Sequence, residues 1–189
     1  LVSEAFLHGF YGKPRIDMDL LEAHHEGLIA LSACLGGAIP QALLAEDYDK
    51  AKSIALRMSQ IMGPDRFYLE LQDHGIDKQR PVNQGLQRLA RETGLPLVIT
   101  NDAHYLRKED ADIQDVLLCI QTNKSVDDLN RMRFETQEFY LKSEEELRGL
   151  FPNCPEAFDN TVKIADMCNV EFTFHEYHLP AYPVPEGYT

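Results

Sequence analysis

Three segments of this sequence end in side chains suited to metal or acid–base chemistry. The sharpest is Asp102-Ala103-His104. An Asp and a His two apart in an extended segment point to the same side. Carboxylate oxygen and imidazole nitrogen both suit zinc or manganese, and a polar site of this kind has room for more than one ion. The same residues also fit a plainer arrangement, with Asp102 capping the next helical turn and His104 on the surface. Cys34 follows a short apolar run and precedes Gly36-Gly37. It reads as a thiolate ligand or as a small buried residue beside a tight turn. His74, in Gln72-Asp73-His74-Gly75, reads as a metal or phosphate ligand or as a turn residue. Gln72 and Asn101 join His74 as candidates for the face of such a site.

These residues must be positioned by strands. Leu28 to Ser32, Phe67 to Leu71 and Pro96 to Thr100 are short apolar runs that read as buried strands, and each ends just before one of the polar groups. Between them, Ala51, Ile54, Ala55, Met58, Ile61 and Met62 repeat at helical spacing, as do Val82, Leu86, Leu89, Ala90 and Thr93. Gly63-Pro64 and Gly94 close these two helices. Strand–helix alternation at this spacing predicts an α/β fold of parallel strands with helical crossovers. In such folds the C-terminal strand ends converge on one face, where sites are built. A further helix is expected over 17–27, opened by Asp17. Another carries Ile113, Val116, Leu117 and Ile120 on one side, and a third spans 155–168 with Phe158, Val162 and Ala165 facing inward. His24-His25 reads as mid-helix surface. Cys119, Cys154 and Cys168 read as packing residues, and His175 and His178 as part of an exit segment.

The chain divides into residues 1–142 and 143–189. Ser143-x-x-Glu146 is a capping box. From 143 onward there are nine acids against two bases and five of the ten prolines, which reads as the end of a domain and a linker. Over all 189 residues, 31 acids face 18 bases, a net charge of −13. That balance argues against a free-standing nucleic-acid binder, because phosphate attraction needs clustered Lys and Arg. It leaves room for nucleic-acid chemistry where neighbouring domains supply the basic surface. No apolar run nears the roughly 18 residues of a membrane-spanning helix. No CxxC pair, GxGxxG, P-loop or GxSxG occurs. Asp17-x-Asp19 opens a helix, where acids are favoured anyway. Scattered cysteines without a secretion signal suggest a reducing, cytoplasmic setting.

Several stretches together resemble the bacterial DNA polymerase III alpha subunit family. They are Gly27-Leu28-Ile29-Ala30-Leu31-Ser32-Ala33-Cys34-Leu35-Gly36, Thr100-Asn101-Asp102-Ala103-His104-Tyr105, Phe10-Tyr11-Gly12-Lys13-Pro14-Arg15-Ile16-Asp17, Glu138-Phe139-Tyr140-Leu141-Lys142 and Phe158-Asp159-Asn160-Thr161. The closing run from Leu179-Pro180 to Pro185-Glu186-Gly187 resembles that family's exit toward its polymerase core. The resemblance implies the later part of a PHP (polymerase and histidinol phosphatase) domain. That domain is a distorted (β/α) barrel, here truncated at its N-terminus, with an early His-x-His and a following Asp-His-Gly expected before Leu1. By motif match, Cys34, Asp102 and His104 align with metal-ligand positions, with Zn2+ or Mn2+ at an incomplete site. The parent's Mg2+-dependent polymerase carboxylates are expected beyond the chain. The resemblance further implies DNA as a partner through the parent, together with the sliding clamp, the clamp loader and a proofreading exonuclease. The region's own role is then metal-dependent 3′–5′ proofreading or docking of that exonuclease, and the fragment alone is expected to be inactive. A single-strand channel should be basic, so the acidic balance favours docking. A free-standing PHP phosphoesterase acting on a small phosphate ester is the alternative. A barrel without its first strands is expected to expose apolar strand edges and to be poorly soluble.

Overall fold

The computed structural model describes residues 1–181 and 183–187. Helix α1 (Val2–Leu7) leads into a small antiparallel hairpin, β1 (Phe10–Tyr11) and β2 (Lys13–Pro14). Helix α2 (Met18–Ala23) begins where Asp17 accepts a hydrogen bond from the Leu20 N–H at 2.8 Å. It is shorter than the sequence suggests: His24 closes it, so His24 and His25 lie beyond the helix.

The heart of the fold is a parallel sheet in the order β3 (Ala30–Leu31), β4 (Phe67–Leu71), β5 (Leu97–Ile99). Ala30 pairs with Phe67, and Leu69 pairs with Leu97. Parallel neighbours need long crossovers. Helices α3 (Ala38–Leu44) and α4 (Tyr48–Met62) carry the chain from β3 to β4, and α5 (Gln79–Thr93) carries it from β4 to β5. The central strand β4 is buried at all five residues, as expected for a strand covered on both faces. Ile39, Ala51, Ala55, Leu69, Leu86 and Leu89 are among the side chains packed into this core.

Local chemistry sets the helix ends. Asp47 caps α4 through the Lys50 N–H at 3.1 Å. Gly94, at φ 74°, ends α5 in the left-handed conformation that favours glycine. Gly85 has a packing role instead. A Cβ there would sit 2.8 Å from Leu43 Cδ2, so its absence lets α3 and α5 close together.

After β5 come a 3₁₀ turn (Lys108–Asp110), α6 (Ala111–Thr122), α7 (Glu144–Leu150) and α8 (Pro155–Met167). Ser143 and Glu146 form the expected capping box. Helix α8 lies against β5, and its Asn160 side chain donates to Leu97 O at 2.8 Å. Its inner face is Cys154, Ala157 and Phe158, while Val162 and Ala165, expected inward, are exposed. A three-residue strand is roughly 10 Å long against about 20 Å for this helix, so the helix's second half has no sheet beneath it. Cys119 and Cys154 are buried as expected, whereas Cys168 is exposed. From residue 168 onward the described residues form no helix or strand and are all exposed. No helix among the described residues is long and apolar enough to cross a membrane.

Candidate functional site

The polar groups gather where the three parallel strands end. After β3, Ser32 is buried, and its Oγ accepts a hydrogen bond from the Glu70 N–H at 2.8 Å. Ala33 follows at φ 65°, in the left-handed region that L side chains rarely adopt. Cys34 comes next. Its carbonyl accepts from the Gly37 N–H at 2.8 Å, which forms the tight turn into α3. The thiol is exposed, so the buried-packing alternative for Cys34 does not hold.

The end of β4 supplies Glu70, Gln72, Asp73 and His74. Glu70 Oε2 accepts from the Ala33 N–H at 3.0 Å, and its Oε1 accepts from Gln72 Nε2 at 2.8 Å and from the Thr100 hydroxyl. Gln72 is 7% exposed, and its own Oε1 is buried without a hydrogen-bond partner. Asp73 accepts from the Gly75 N–H at 2.9 Å, forming a side-chain turn.

His74 is 1% exposed and stacks on Phe139 with centroids 4.2 Å apart. Its backbone N–H donates to Gln79 Oε1 at 2.7 Å, which aims the Gln79 amide nitrogen at His74 Nδ1, also 2.7 Å away. Nε2 therefore carries the proton and donates it to Asn101 O at 2.8 Å. Both ring nitrogens are engaged, so His74 has no lone pair to offer a metal in this arrangement. It locks the turn after β4 onto the segment after β5.

After β5, Asn101 pairs with the backbone of Lys142, accepting from its N–H at 3.0 Å and donating to its carbonyl at 3.2 Å. Asp102 sits at φ 46°, so the segment is not simply extended, yet its carboxylate still reaches His104 Nε2 at 3.5 Å. Asp102 caps nothing: the next helical turn starts at Lys108, where Asp110 accepts from the Arg107 N–H. The His104 ring is tilted against Phe134 at 4.7 Å, and its backbone N–H donates to Phe139 O at 2.8 Å.

Several participants lie outside the sequence-level candidates, among them Ser32, Gln79 and Thr100. Glu70 is another, a lone acid in the apolar run Phe67-Tyr68-Leu69-Glu70-Leu71, and that oddity was the available signal. So is Lys142. Its side chain is nearly fully buried beside Glu138, and its ammonium lies 4.2 Å above the Tyr140 ring. Burial pushes the Lys142 ammonium below its ordinary pKa, while Lys108 holds the Glu138 carboxyl below the usual range.

The arrangement joins Asp102 to His104, while Cys34 stands on the β3 loop beside Glu70 and Gln72, lining a shallow pocket. Among the described residues, no three His, Cys, Asp or Glu side chains converge to hold a metal ion. The donors suit zinc or manganese chemically.

Comparison with known proteins gives a consistent result. Residues 1–74 match the family model described as PHP domain. The whole chain is 48% identical to DNA polymerase III subunit alpha of Thermus aquaticus, of which it covers 16%. It is 48% identical to the same subunit of Borreliella burgdorferi, over 98% of the chain and 16% of the relative. For Treponema pallidum the identity is 46% over the whole chain, again 16% of the relative. The chain thus spans about a sixth of these relatives and matches a PHP region of the alpha subunit.

Proposed function

We propose that this chain is a segment of a replicative DNA polymerase III alpha subunit, a nucleotidyltransferase that copies a DNA template from deoxynucleoside triphosphates with Mg2+. The observation that carries this reading is the 48% identity running through the entire chain. The three parallel strands are then an arc of a larger PHP barrel that begins ahead of Leu1. Residues 1–142, with the helices that follow, close that domain, and the exposed stretch after α8 leads on toward the polymerase core. The setting is cytoplasmic, and the partners are DNA, the sliding clamp, the clamp loader and a proofreading exonuclease.

Within that parent, Cys34, Asp102 and His104 are this chain's contribution to a Zn2+ or Mn2+ site, completed by residues outside the chain. A metal bound there supplies an activated water and a counter-charge for a leaving alkoxide, as 3′–5′ phosphodiester cleavage requires. The residues present have separate tasks. Asp102 orients His104 across 3.5 Å, and the Asn101–Lys142 pairing fixes the loop that bears both. Alone, the chain is expected to bind metal weakly and to be inactive.

Two experiments test the reading. Reading the coding DNA on both sides should show the frame continuing upstream into His-x-His and downstream into a domain with paired aspartates. A stop soon after Thr189 would sink the polymerase assignment. In the longer protein, Asp102→Ala should abolish 3′–5′ nuclease activity and leave polymerisation intact. If neither changes, the metal-dependent reading fails and a purely structural scaffold is supported instead.

A further inference from the structure

We propose that Glu70 is a positioning residue that holds the Cys34 thiol in place and ties the β3 loop to the β5 loop. The proposal rests on the reading of Cys34 as a ligand, but its geometry stands apart from that reading. Glu70 is buried, and among the described residues it has no ion-pair partner. A buried carboxylate is costly to keep unless hydrogen-bond donors surround it. All three of its side-chain donors come from strand ends. One carboxylate oxygen takes the Ala33 N–H at 3.0 Å, directly before Cys34 and at the strained φ of 65°. The other takes Gln72 Nε2 at 2.8 Å and the Thr100 hydroxyl, two residues before Asp102. The contact with the β3 end is reciprocal, because the Glu70 N–H donates to Ser32 Oγ at 2.8 Å. Both oxygens thus accept from strand-end donors, which makes Glu70 an anchor between loops. It fixes where Cys34 stands relative to Asp102 and His104.

The 189-residue chain provides the test. In the wild type, the Ala33 amide should be protected from hydrogen exchange although it lies in an exposed turn. Exchange at the free-loop rate overturns the proposal without any variant having to fold. In Glu70→Ala, alkylation of Cys34 by iodoacetamide should rise about tenfold, the scale of one lost hydrogen bond to a charged group, while Cys168, the other exposed thiol, stays unchanged. Glu70→Gln keeps an oxygen for Ala33, and the partnerless Gln72 Oε1 can turn to accept its new N–H. Its Cys34 rate should stay near the wild type. An unchanged Cys34 rate in Glu70→Ala, or equal effects in both variants, overturns the proposal. Co2+ titration separates the two readings. In the longer protein, where residues outside this chain complete the site, absence of a thiolate charge-transfer band removes the ligand role of Cys34, and the exchange and alkylation data still decide whether Glu70 anchors it.

Discussion

Helices α5 and α6 look alike in sequence and end in opposite situations. Each carries apolar residues at helical spacing: Val82, Leu86 and Leu89 on α5, and Ile113, Val116, Leu117 and Ile120 on α6. On α5 that face is buried against the sheet. On α6 it is exposed, with Ile120 at 71%, and only Leu118 and Cys119 of that helix are buried. Connectivity explains the difference. Helix α5 links two paired parallel strands, so the chain must return it across the sheet face. Helix α6 follows the last described strand of the sheet, and no such return is imposed. It is held by polar ties instead, with Arg131 clamping Asp115 through two bonds of 2.5 and 2.6 Å. Periodicity reveals that a helix has an apolar face, and topology decides whether this domain covers it.

The largest test of this contrast lies in β4. Leu69 is fully buried at the centre of the sheet. Leu69→Ala should cost about 2–5 kcal/mol, read from urea or thermal unfolding. A loss below about 1 kcal/mol would mean that the sheet centre is no better packed than the periphery. Gly85→Ala comes next, because the added methyl must displace the end of the Leu43 side chain at the α3–α5 contact. It should destabilise by about 1–3 kcal/mol. A neutral or stabilised variant would show that the two helices do not need the close approach.

Much of this half of the molecule was legible in the sequence because its signals are local. The strand over 67–71 and the glycine that ends α5 stand where the pattern places them. The Asp102–His104 pair follows from a two-residue spacing, although Asp102 reaches it through a left-handed backbone. What the sequence hid depends on distant partners. Glu70 meets Ala33 across 37 positions and Thr100 across 30. His74 reads as a metal or phosphate ligand or a turn residue until Gln79 and Asn101 are seen to occupy both its nitrogens. The inward expectation for Val162 and Ala165 fails because β5 is too short to underlie the second half of α8. A helical pattern carries no information on how far the neighbouring strand extends.

Smaller effects sharpen the comparison at the helix ends. Asp47→Ala removes the side-chain cap of α4 and should cost about 1 kcal/mol. Acid titration probes the α4–α5 surface, where Lys52 from α4 and then Arg88 hold the Glu92 carboxyl down to about 2. A depressed carboxylate contributes its stability above the unfolded value of 4.5 and loses it as pH falls from there toward 2. Wild type should therefore lose stability relative to Glu92→Gln across that window. Parallel curves would show that the exposed pairing contributes nothing, as many surface ion pairs do.

The smallest expected effect is the most telling about α6. Leu117 is about half exposed, so Leu117→Ser removes little buried area. Its stability should stay within about 0.5 kcal/mol of the wild type, against the several expected for Leu69→Ala. The polar ties of α6 predict a different sensitivity. Asp115→Asn weakens the Arg131 clamp, which holds the Asp115 carboxyl below its usual pKa, and should raise amide exchange across α6 without moving the core melt. If Leu117→Ser instead lowered the melting temperature as much as a core truncation, the apolar stripe would be covered in solution. The contrast between a helix returned to its sheet and a helix released from it would then fail.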